Sequence, residues 1–420
     1  MTALYKGDIV YAGEKDSLSV FPASYIAVED GFVEGIYPVL PDCYLGAEVT
    51  DYGHALIIPA FSDLHIHASQ YAQRGTGMDK LLFDWLQEET FPQEARFADD
   101  TYAKSVYEAV VRDFIRHGTF HLSAFTTIHS SACDIFYRIL DREGLYAYVG
   151  KVNMDSNSPP FLCENTEESL FSAERFLAEH QDSRTVRPIL TPRFAPSCSE
   201  ALMKGLGKLA KKYACGLQTH LAESIAEVQW MHELFPTYKS DADIYEKAGL
   251  LECGPVIFAH VIFPEDEDLA LIHRHHAVLI HCPDATANIT AGIMPLAALQ
   301  KQGCRIALGT DVGSGAGCAV YRQVAQAVQL SKLKEFFEPD NNSRITFANA
   351  FYMATKGGGT VFDRVGSLEK GYRFNALVLD DLEYDYAPLS PEKRLERFCY
   401  AGDDRNIIAR YLDGKKLVIH

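Results

Sequence analysis

The feature that most constrains the fold is an alternation of short apolar runs with longer amphipathic stretches through most of the chain. Continuous apolar, β-branched runs are typical of strands buried on both faces, and stretches such as TYAKSVYEAVVRDFIRHG have the apolar spacing of helices. Strands that alternate with helices form parallel sheets. The runs that we interpret as strands cover residues 56–64, 119–127, 146–154, 187–191, 216–221, 255–260, 277–281 and 305–310.

Eight such units predict an α/β fold, specifically a (β/α)8 TIM barrel. A barrel of this kind takes about 250 residues, and the chain has 420. Both ends of the chain carry shorter alternating runs with turn signals, including an Asp30-Gly31 pair suited to a hairpin. We therefore predict a small composite β-sandwich domain from residues 1–56 plus 365–420, and a catalytic barrel over residues 57–364.

The composition favours a small-molecule enzyme. Lys and Arg total 39 against 57 Asp and Glu, a formal charge of −18, which opposes binding to nucleic acid or to an anionic membrane. The ten cysteines include no C-x-x-C pair, so we expect reduced thiols and no structural zinc knuckle. The first residues lack the apolar core of a signal peptide, and no apolar run approaches the length of about 20 residues of a membrane span. We expect a cytoplasmic protein.

The candidate catalytic residues share one position, because each lies at or just after the C-terminal end of a predicted strand. Barrel enzymes assemble their active sites on this rim. A carboxylate in an apolar strand also indicates a bound partner, because burying it unpaired is strongly disfavoured. The residues are His65 and His67 on the first strand, His220 and Glu223 on the fifth, His260 on the sixth and Asp311 on the eighth.

Three imidazoles and a carboxylate suit zinc, with iron or manganese as alternatives. A bound metal ion lowers the pKa of its water and supplies hydroxide. Glu223, three residues past His220, is placed to take the water proton and pass it to a leaving group. Asp311 could both bind the metal and orient the water. His260 is either a fourth imidazole ligand or a hydrogen-bond donor to the hydroxide.

Several motifs resemble a known family. PAFSDLHIHASQY, THLAES, FAH and LGTD resemble the deaminase branch of the amidohydrolase superfamily, and HIHASQY, FDWLQEETFPQEARF and TPRFAPSCSE are similar to the guanine deaminase family. The resemblance extends from about residue 57 to residue 359. It implies one zinc ion per subunit, a homodimer and a purine substrate. The metal ligands that it implies are His65, His67, His220 and Asp311.

The resemblance also assigns the remaining roles. Glu223 would be the proton shuttle, with His260 beside it. Gln70, Arg193 and Phe194 would hold the base, together with His220. These residue types fit that task, because an amide donates and accepts, a guanidinium donates to a carbonyl oxygen, and an aromatic ring packs on a flat base.

The expected reaction is therefore the hydrolytic deamination of guanine to xanthine and ammonia by a metal-activated hydroxide, a step of guanine catabolism in purine metabolism. One segment departs from the family, since HCPDATANITAG places Asp284, Ala285 and Thr286 where the family usually has asparagine, serine and asparagine. If Asp284 faces the pocket, another heterocycle such as a different aminopurine or a pterin is the alternative substrate, for a deaminase or a cyclic-amide hydrolase. A catalytically inactive scaffold is a more remote alternative, because such a protein is expected to have lost ligands or the shuttle.

Overall fold

The computed structural model describes residues 2–339, 342–380 and 388–418. Its strands are β1 (Thr2–Glu14), β2 (Ser17–Glu29), β3 (Phe32–Tyr37), β4 (Val49–Pro59), β5 (Phe61–His67), β6 (Thr119–Phe125), β7 (Tyr146–Gly150), β8 (Val152–Asn153), β9 (Val186–Pro188), β10 (Thr191–Pro192), β11 (Leu217–Leu221), β12 (Val256–His260), β13 (Val278–His281), β14 (Arg305–Leu308), β15 (Ala376–Leu379), β16 (Ile407–Leu412) and β17 (Lys415–Lys416).

The α-helices alternate with the central strands. They are α1 (Leu82–Trp85), α2 (Phe91–Ala95), α3 (Asp100–His117), α4 (Ser130–Glu143), α5 (Thr166–Glu179), α6 (Glu200–Tyr213), α7 (Ile225–Leu234), α8 (Asp241–Lys247), α9 (Asp266–Arg274), α10 (Pro283–Asn288), α11 (Leu296–Lys301), α12 (Val320–Phe337), α13 (Phe347–Tyr352) and α14 (Pro391–Ala401). A π-helical turn, Leu86–Thr90, joins α1 to α2. Within the described ranges, no helix is long and apolar enough to cross a membrane.

The central strands form two four-stranded sheets, β5-β6-β7-β9 and β11-β12-β13-β14, in which all neighbours are parallel. Backbone contacts link their edges. Leu190 bridges Leu217 at one junction, and the Asp311 N–H donates to the His65 carbonyl oxygen at 2.8 Å at the other. This is the TIM-barrel-type α/β architecture that the alternation predicts. Its interior is packed by Leu64, Tyr148, Ile189, Ile257, Val278, Ile280, Cys282, Ala285 and Ala307.

Three predicted strands are each divided between two strands in the structure, among them the run at 146–154, which covers β7 and β8. The run at 56–64 spans the end of β4 and the start of β5, because the apolar sequence continues while the chain passes from one sheet to the other; between them, the Ala60 N–H donates to the Asn375 carbonyl oxygen. The run at 187–191 is divided between β9 and β10. Pro188 and Pro192 end these short strands, and proline has no N–H to donate to a ladder.

The two ends of the chain meet in one seven-stranded mixed sheet, in the order β17-β16-β15-β4-β1-β2-β3. The predicted hairpin joins β2 to β3, with Asp30 and Gly31 at φ values of 49° and 87°. This sheet has its own apolar cluster, which includes Tyr5, Ile9 and Phe374. The described strands thus confirm that the termini pair with each other, whereas the two-layered sandwich stays a prediction.

The C-terminal ends of the central strands are held in unusual conformations. His260 and Asp311 have φ values of 72° and 49°, in the left-handed region that non-glycine residues rarely adopt. Such strain is characteristic of functional sites, where the surrounding structure enforces it. Asp63 supports this region, because its carboxylate accepts from the Thr310 backbone N–H at 2.9 Å and from the Thr310 hydroxyl at 2.5 Å. The ends of β5 and β14 are thereby held together.

Candidate active site

Four histidines and one aspartate converge at this rim, and all five are buried. The Nε2 atoms of His67 and His220 are 3.1 Å apart. Asp311 Oδ1 lies 3.3 Å from His65 Nε2 and 3.5 Å from His67 Nε2. The structure therefore brings together the four residues that the sequence predicts as metal ligands.

His260 belongs to the same cluster but also faces the predicted shuttle. Its Nε2 atom lies 3.9 Å from Asp311 Oδ2 and 3.4 Å from Glu223 Oε1. The nitrogens of His65, His220 and His260 lie within 4.8 Å of one another, as do the ligand atoms of His65, His67 and Asp311. Both roles that the sequence leaves open for His260 remain compatible with this geometry.

The donor set fits a divalent metal ion. His65 Nε2 and Asp311 Oδ1 are buried without a hydrogen-bond partner, an arrangement that is costly unless something else binds these atoms. His220 Nδ1 lies 2.6 Å from the Arg193 carbonyl oxygen, which can only accept, so Nδ1 carries the proton and Nε2 presents a lone pair. Burial lowers the pKa of His65 to about 3 and holds those of His67 and His220 well below their usual value. Neutral imidazole is the form that binds metal.

Two buried glutamates stand beside this cluster. Burial, reinforced by the Asp311 carboxylate, raises the pKa of Glu223 to about 8. Glu227 accepts the backbone N–H of Glu223 at 3.1 Å, and burial together with the Glu223 carboxylate raises the pKa of Glu227 to about 8 as well. Sequence reasoning missed Glu227, although its position one helical turn after Glu223 could have indicated it.

A cavity lies against the cluster and contains about 520 Å³ of empty space when its opening to solvent is included. Its wall includes all four residues predicted to contact the base, together with apolar side chains from the segment at 82–86. Phe194 also packs against Trp230, with ring centroids 6.0 Å apart. The lining residues are His67, Gln70, Leu82, Phe83, Trp85, Leu86, Arg193, Phe194, His220, Glu223, Glu227, Ile289, Asp311 and Ser314.

Behind the cavity wall lies Glu94, which the sequence did not single out. Its carboxylate is 2% exposed and accepts from Gln70 Nε2 at 2.8 Å. The same carboxylate accepts from Arg193 Nη1 at 2.8 and 3.0 Å. The signal for it was its place in FDWLQEETFPQEARF, one of the motifs that are similar to the guanine deaminase family.

The three residues that depart from the family, Asp284, Ala285 and Thr286, do not line the cavity. Asp284 accepts from the Ala316 backbone N–H at 2.8 Å and from Gln326 Nε2 at 3.0 Å. Ala285 packs in the barrel interior, and the Thr286 hydroxyl donates to the Cys282 carbonyl oxygen at 3.1 Å. The altered polar groups bind the protein itself, which removes the reason for assigning substrate specificity to Asp284.

The match to known proteins agrees with this geometry. Residues 56–417 match the family model described as the amidohydrolase family. This match, together with parallel strands that gather histidines and an aspartate at their C-terminal ends, defines the class of the protein as a hydrolase. The chain belongs to the amidohydrolase family.

Individual relatives indicate the group within this family to which the chain is similar. The chain is 32% identical to a guanine deaminase of Dictyostelium discoideum, covering 99% of this chain and 98% of the relative, and 35% identical to a Homo sapiens guanine deaminase, covering 90% and 86%. A crystal structure of a guanine deaminase from C. acetobutylicum with guanine bound in its active site is 40% identical and superimposes with a TM-score of 0.96 over the full length of both chains. Within its family, the chain groups with the guanine deaminases.

Proposed function

We propose that this protein catalyses the hydrolytic deamination of guanine to xanthine and ammonia. It is a hydrolase of C–N bonds in cyclic amidines. The observation that carries the proposal is one cavity in which the base-contacting residues Gln70, Arg193 and Phe194 lie beside His67, His220, Glu223 and Asp311. A chain that kept only the fold would need none of these side chains in one place, so the geometry also opposes an inactive scaffold.

The metal site is assigned to four of the converging residues. His65, His67, His220 and Asp311 would hold a divalent ion, and the nitrogen-rich donor set supports zinc. When bound, such an ion would activate a water molecule for attack. His260, within reach of both Asp311 and Glu223, would orient the same water.

Glu223 is assigned the proton transfers. Its carboxylate would take a proton from the attacking water and deliver it to the ring nitrogen next to the carbon that carries the exocyclic amine. The tetrahedral carbon then expels that amine, which leaves as ammonia. A second proton from the attacking water completes the ammonia, so guanine and water are converted to xanthine and ammonia without any further reactant. A carboxyl whose pKa is raised toward neutrality by burial suits such two-way transfer.

Recognition of the base is assigned to three other residues that line the cavity. Arg193 would donate to the carbonyl oxygen of guanine, Gln70 would accept from a ring N–H, and Phe194 would pack on the ring face. Because Asp284 is engaged with Ala316 and Gln326, no observation favours a different heterocycle.

Several finer expectations stay part of the proposal. The protein would act in guanine catabolism in the cytoplasm as a homodimer, with one zinc ion per subunit. Its barrel would close over residues 57–364. The separate apolar cluster of the terminal sheet supports treating residues 1–56 plus 365–420 as a second domain. Sedimentation of the purified protein and elemental analysis test the dimer and the metal directly.

The decisive experiment measures ammonia release from purified, zinc-loaded protein given guanine, with adenine, 8-oxoguanine, cytosine and a pterin in parallel. Guanine is expected to be by far the best substrate. Faster release from another heterocycle would overturn the assignment of guanine while leaving the hydrolytic site in place. No release from any of them would overturn the assignment of an active deaminase.

A further inference from the structure

Glu94 connects the two polar groups that face the substrate base. It lies on α2, behind the cavity, with its carboxylate almost fully buried. Gln70 reaches it from the segment after β5, and Arg193 reaches it from the segment after β10. Three parts of the chain that are distant in sequence therefore meet at one carboxylate.

This contact fixes which end of the Gln70 amide faces the substrate. A side-chain amide has a donor end and an acceptor end, and its hydrogen-bond partners decide which way it points. A carboxylate can only accept, so the Nε2 end is held by Glu94 at 2.8 Å. Oε1 then remains as an acceptor and can bind a ring N–H, whereas a flipped amide would offer a donor there.

The same carboxylate fixes Arg193. Glu94 engages Nη1 and leaves the donors on Nε and Nη2 for a carbonyl oxygen. It also compensates the buried positive charge, so the guanidinium is presented as an array of hydrogen-bond donors. Gln70 as an acceptor and Arg193 as a donor match a neutral carbonyl group next to a ring N–H. Guanine has such an edge, and 2-aminopurine lacks it.

We propose that Glu94 is a positioning residue that selects the carbonyl-bearing edge of the base by fixing Gln70 as an acceptor and Arg193 as a donor. This inference rests on the proposed function. It differs from a purely structural role because the loss of Glu94 should weaken one substrate edge selectively. The chemistry at the metal should remain, since Glu94 makes no hydrogen bond or ion pair to the metal-ligand cluster that the structure records.

The test compares Glu94→Gln with the wild type, using guanine and 2-aminopurine as substrates. We expect KM for guanine to rise at least about tenfold with a much smaller change in kcat, because misplaced contacts weaken binding of the base. The preference for guanine over 2-aminopurine should fall by a similar factor, while metal content stays at the wild-type level. Glu88→Gln is the matched control, because Glu88 lies on the same segment, is 63% exposed and pairs with Lys80; it should leave both constants unchanged.

One further variant and a measurement on the wild type keep the outcomes distinct. Glu94→Asp retains a negative charge beside Arg193 but draws it back by one methylene, so it should fold even if Glu94→Gln does not, and should show the same selective loss. An unchanged preference in a folded variant, or an equal loss for both bases, would overturn the positioning role. Absence of guanine turnover in the wild type would instead count against the proposed function.

Discussion

At the scale of single residues, the proposed roles separate water activation from base recognition. Glu223 and His260 lie against the histidine and aspartate cluster, whereas Gln70 and Arg193 are held from behind by Glu94. Glu223, His260 and the histidine and aspartate cluster were predictable, because each of these residues lies at or just after the end of an apolar strand. Glu94 was not, since it acts through contacts between segments that only the folded chain brings together.

Glu223→Gln separates proton transfer from metal binding. The amide occupies the same volume but cannot accept and return a proton, so turnover should fall by about 10²- to 10⁴-fold. Metal content should remain that of the wild type, because Glu223 is not among the predicted ligands. Ammonia release and elemental analysis on the same sample check both statements, and normal turnover would remove Glu223 from the mechanism.

Arg193→Ala tests recognition of the carbonyl. KM for guanine should rise at least about tenfold, since a hydrogen bond from a charged donor contributes about 1.5 to 3 kcal/mol. The variant also leaves Glu94 buried without its cation, so the free energy of unfolding should fall by about 3 to 5 kcal/mol. Steady-state kinetics and denaturant titration measure the two effects, and Arg184→Ala, an exposed position, is the control. An unchanged KM would mean that Arg193 does not touch the base.

At the scale of elements, the order of strands and helices follows from the sequence, but the cavity wall does not. The segment from α1 through the π-helical turn to α2 places Leu82, Phe83 and Trp85 over the cavity. The sequence pattern does not predict which parts of the chain its apolar residues pack against. What fixes its position is packing against the rim and the bonds that Glu94 makes, which local propensity cannot reveal.

Gly313 tests how the loop after β14 shapes this wall. Its φ is 132°, and a Cβ atom there would lie 2.2 Å from Gln70 Oε1. Gly313→Ala should therefore displace the Gln70 amide, raise KM for guanine and lower the free energy of unfolding by about 1 to 3 kcal/mol. Gly317→Ala in the same loop is the matched control, because its Cβ would meet no atom within 4 Å. Equal kinetics in the two variants would argue against contact between this loop and the recognition residues.

At the scale of the whole molecule, the terminal sheet and the barrel share buried polar contacts. Asn375, next to β15, bonds through Nδ2 to His121 Nε2 on β6 at 3.0 Å. Arg410 on β16 donates to the carbonyl oxygens of Ile115 and Arg116. The alternating patterns of the two β-rich ends predict that these ends pair. They do not predict which side chains bind the sheet to the barrel, because such contacts depend on the relative placement of elements far apart in the chain.

Arg410→Ala tests whether this attachment stabilises the protein without shaping the active site. Ile115 and Arg116 lie in the last turn of α3, where backbone carbonyls lack the i+4 donor of the helix interior. The Ile115 carbonyl oxygen accepts from the capping Gly118 N–H at 3.1 Å and has a second lone pair for another donor. The Arg410 side chain donates to the Ile115 carbonyl oxygen at 2.9 Å and to the Ile407 carbonyl oxygen at 2.7 Å. Removing a charged donor from buried acceptors should lower the free energy of unfolding by about 2 to 4 kcal/mol.

The end of α3 precedes β6, so the lost contacts lie at the base of the barrel, opposite the catalytic rim. KM for guanine and kcat per folded molecule should therefore stay at wild-type values while the Tm falls. Arg274→Ala, which removes a surface pair with Glu246, should change the Tm far less, because exposed ion pairs contribute little. A parallel loss of kcat in Arg410→Ala at a temperature where the variant is folded would mean that the terminal sheet also controls the geometry of the rim.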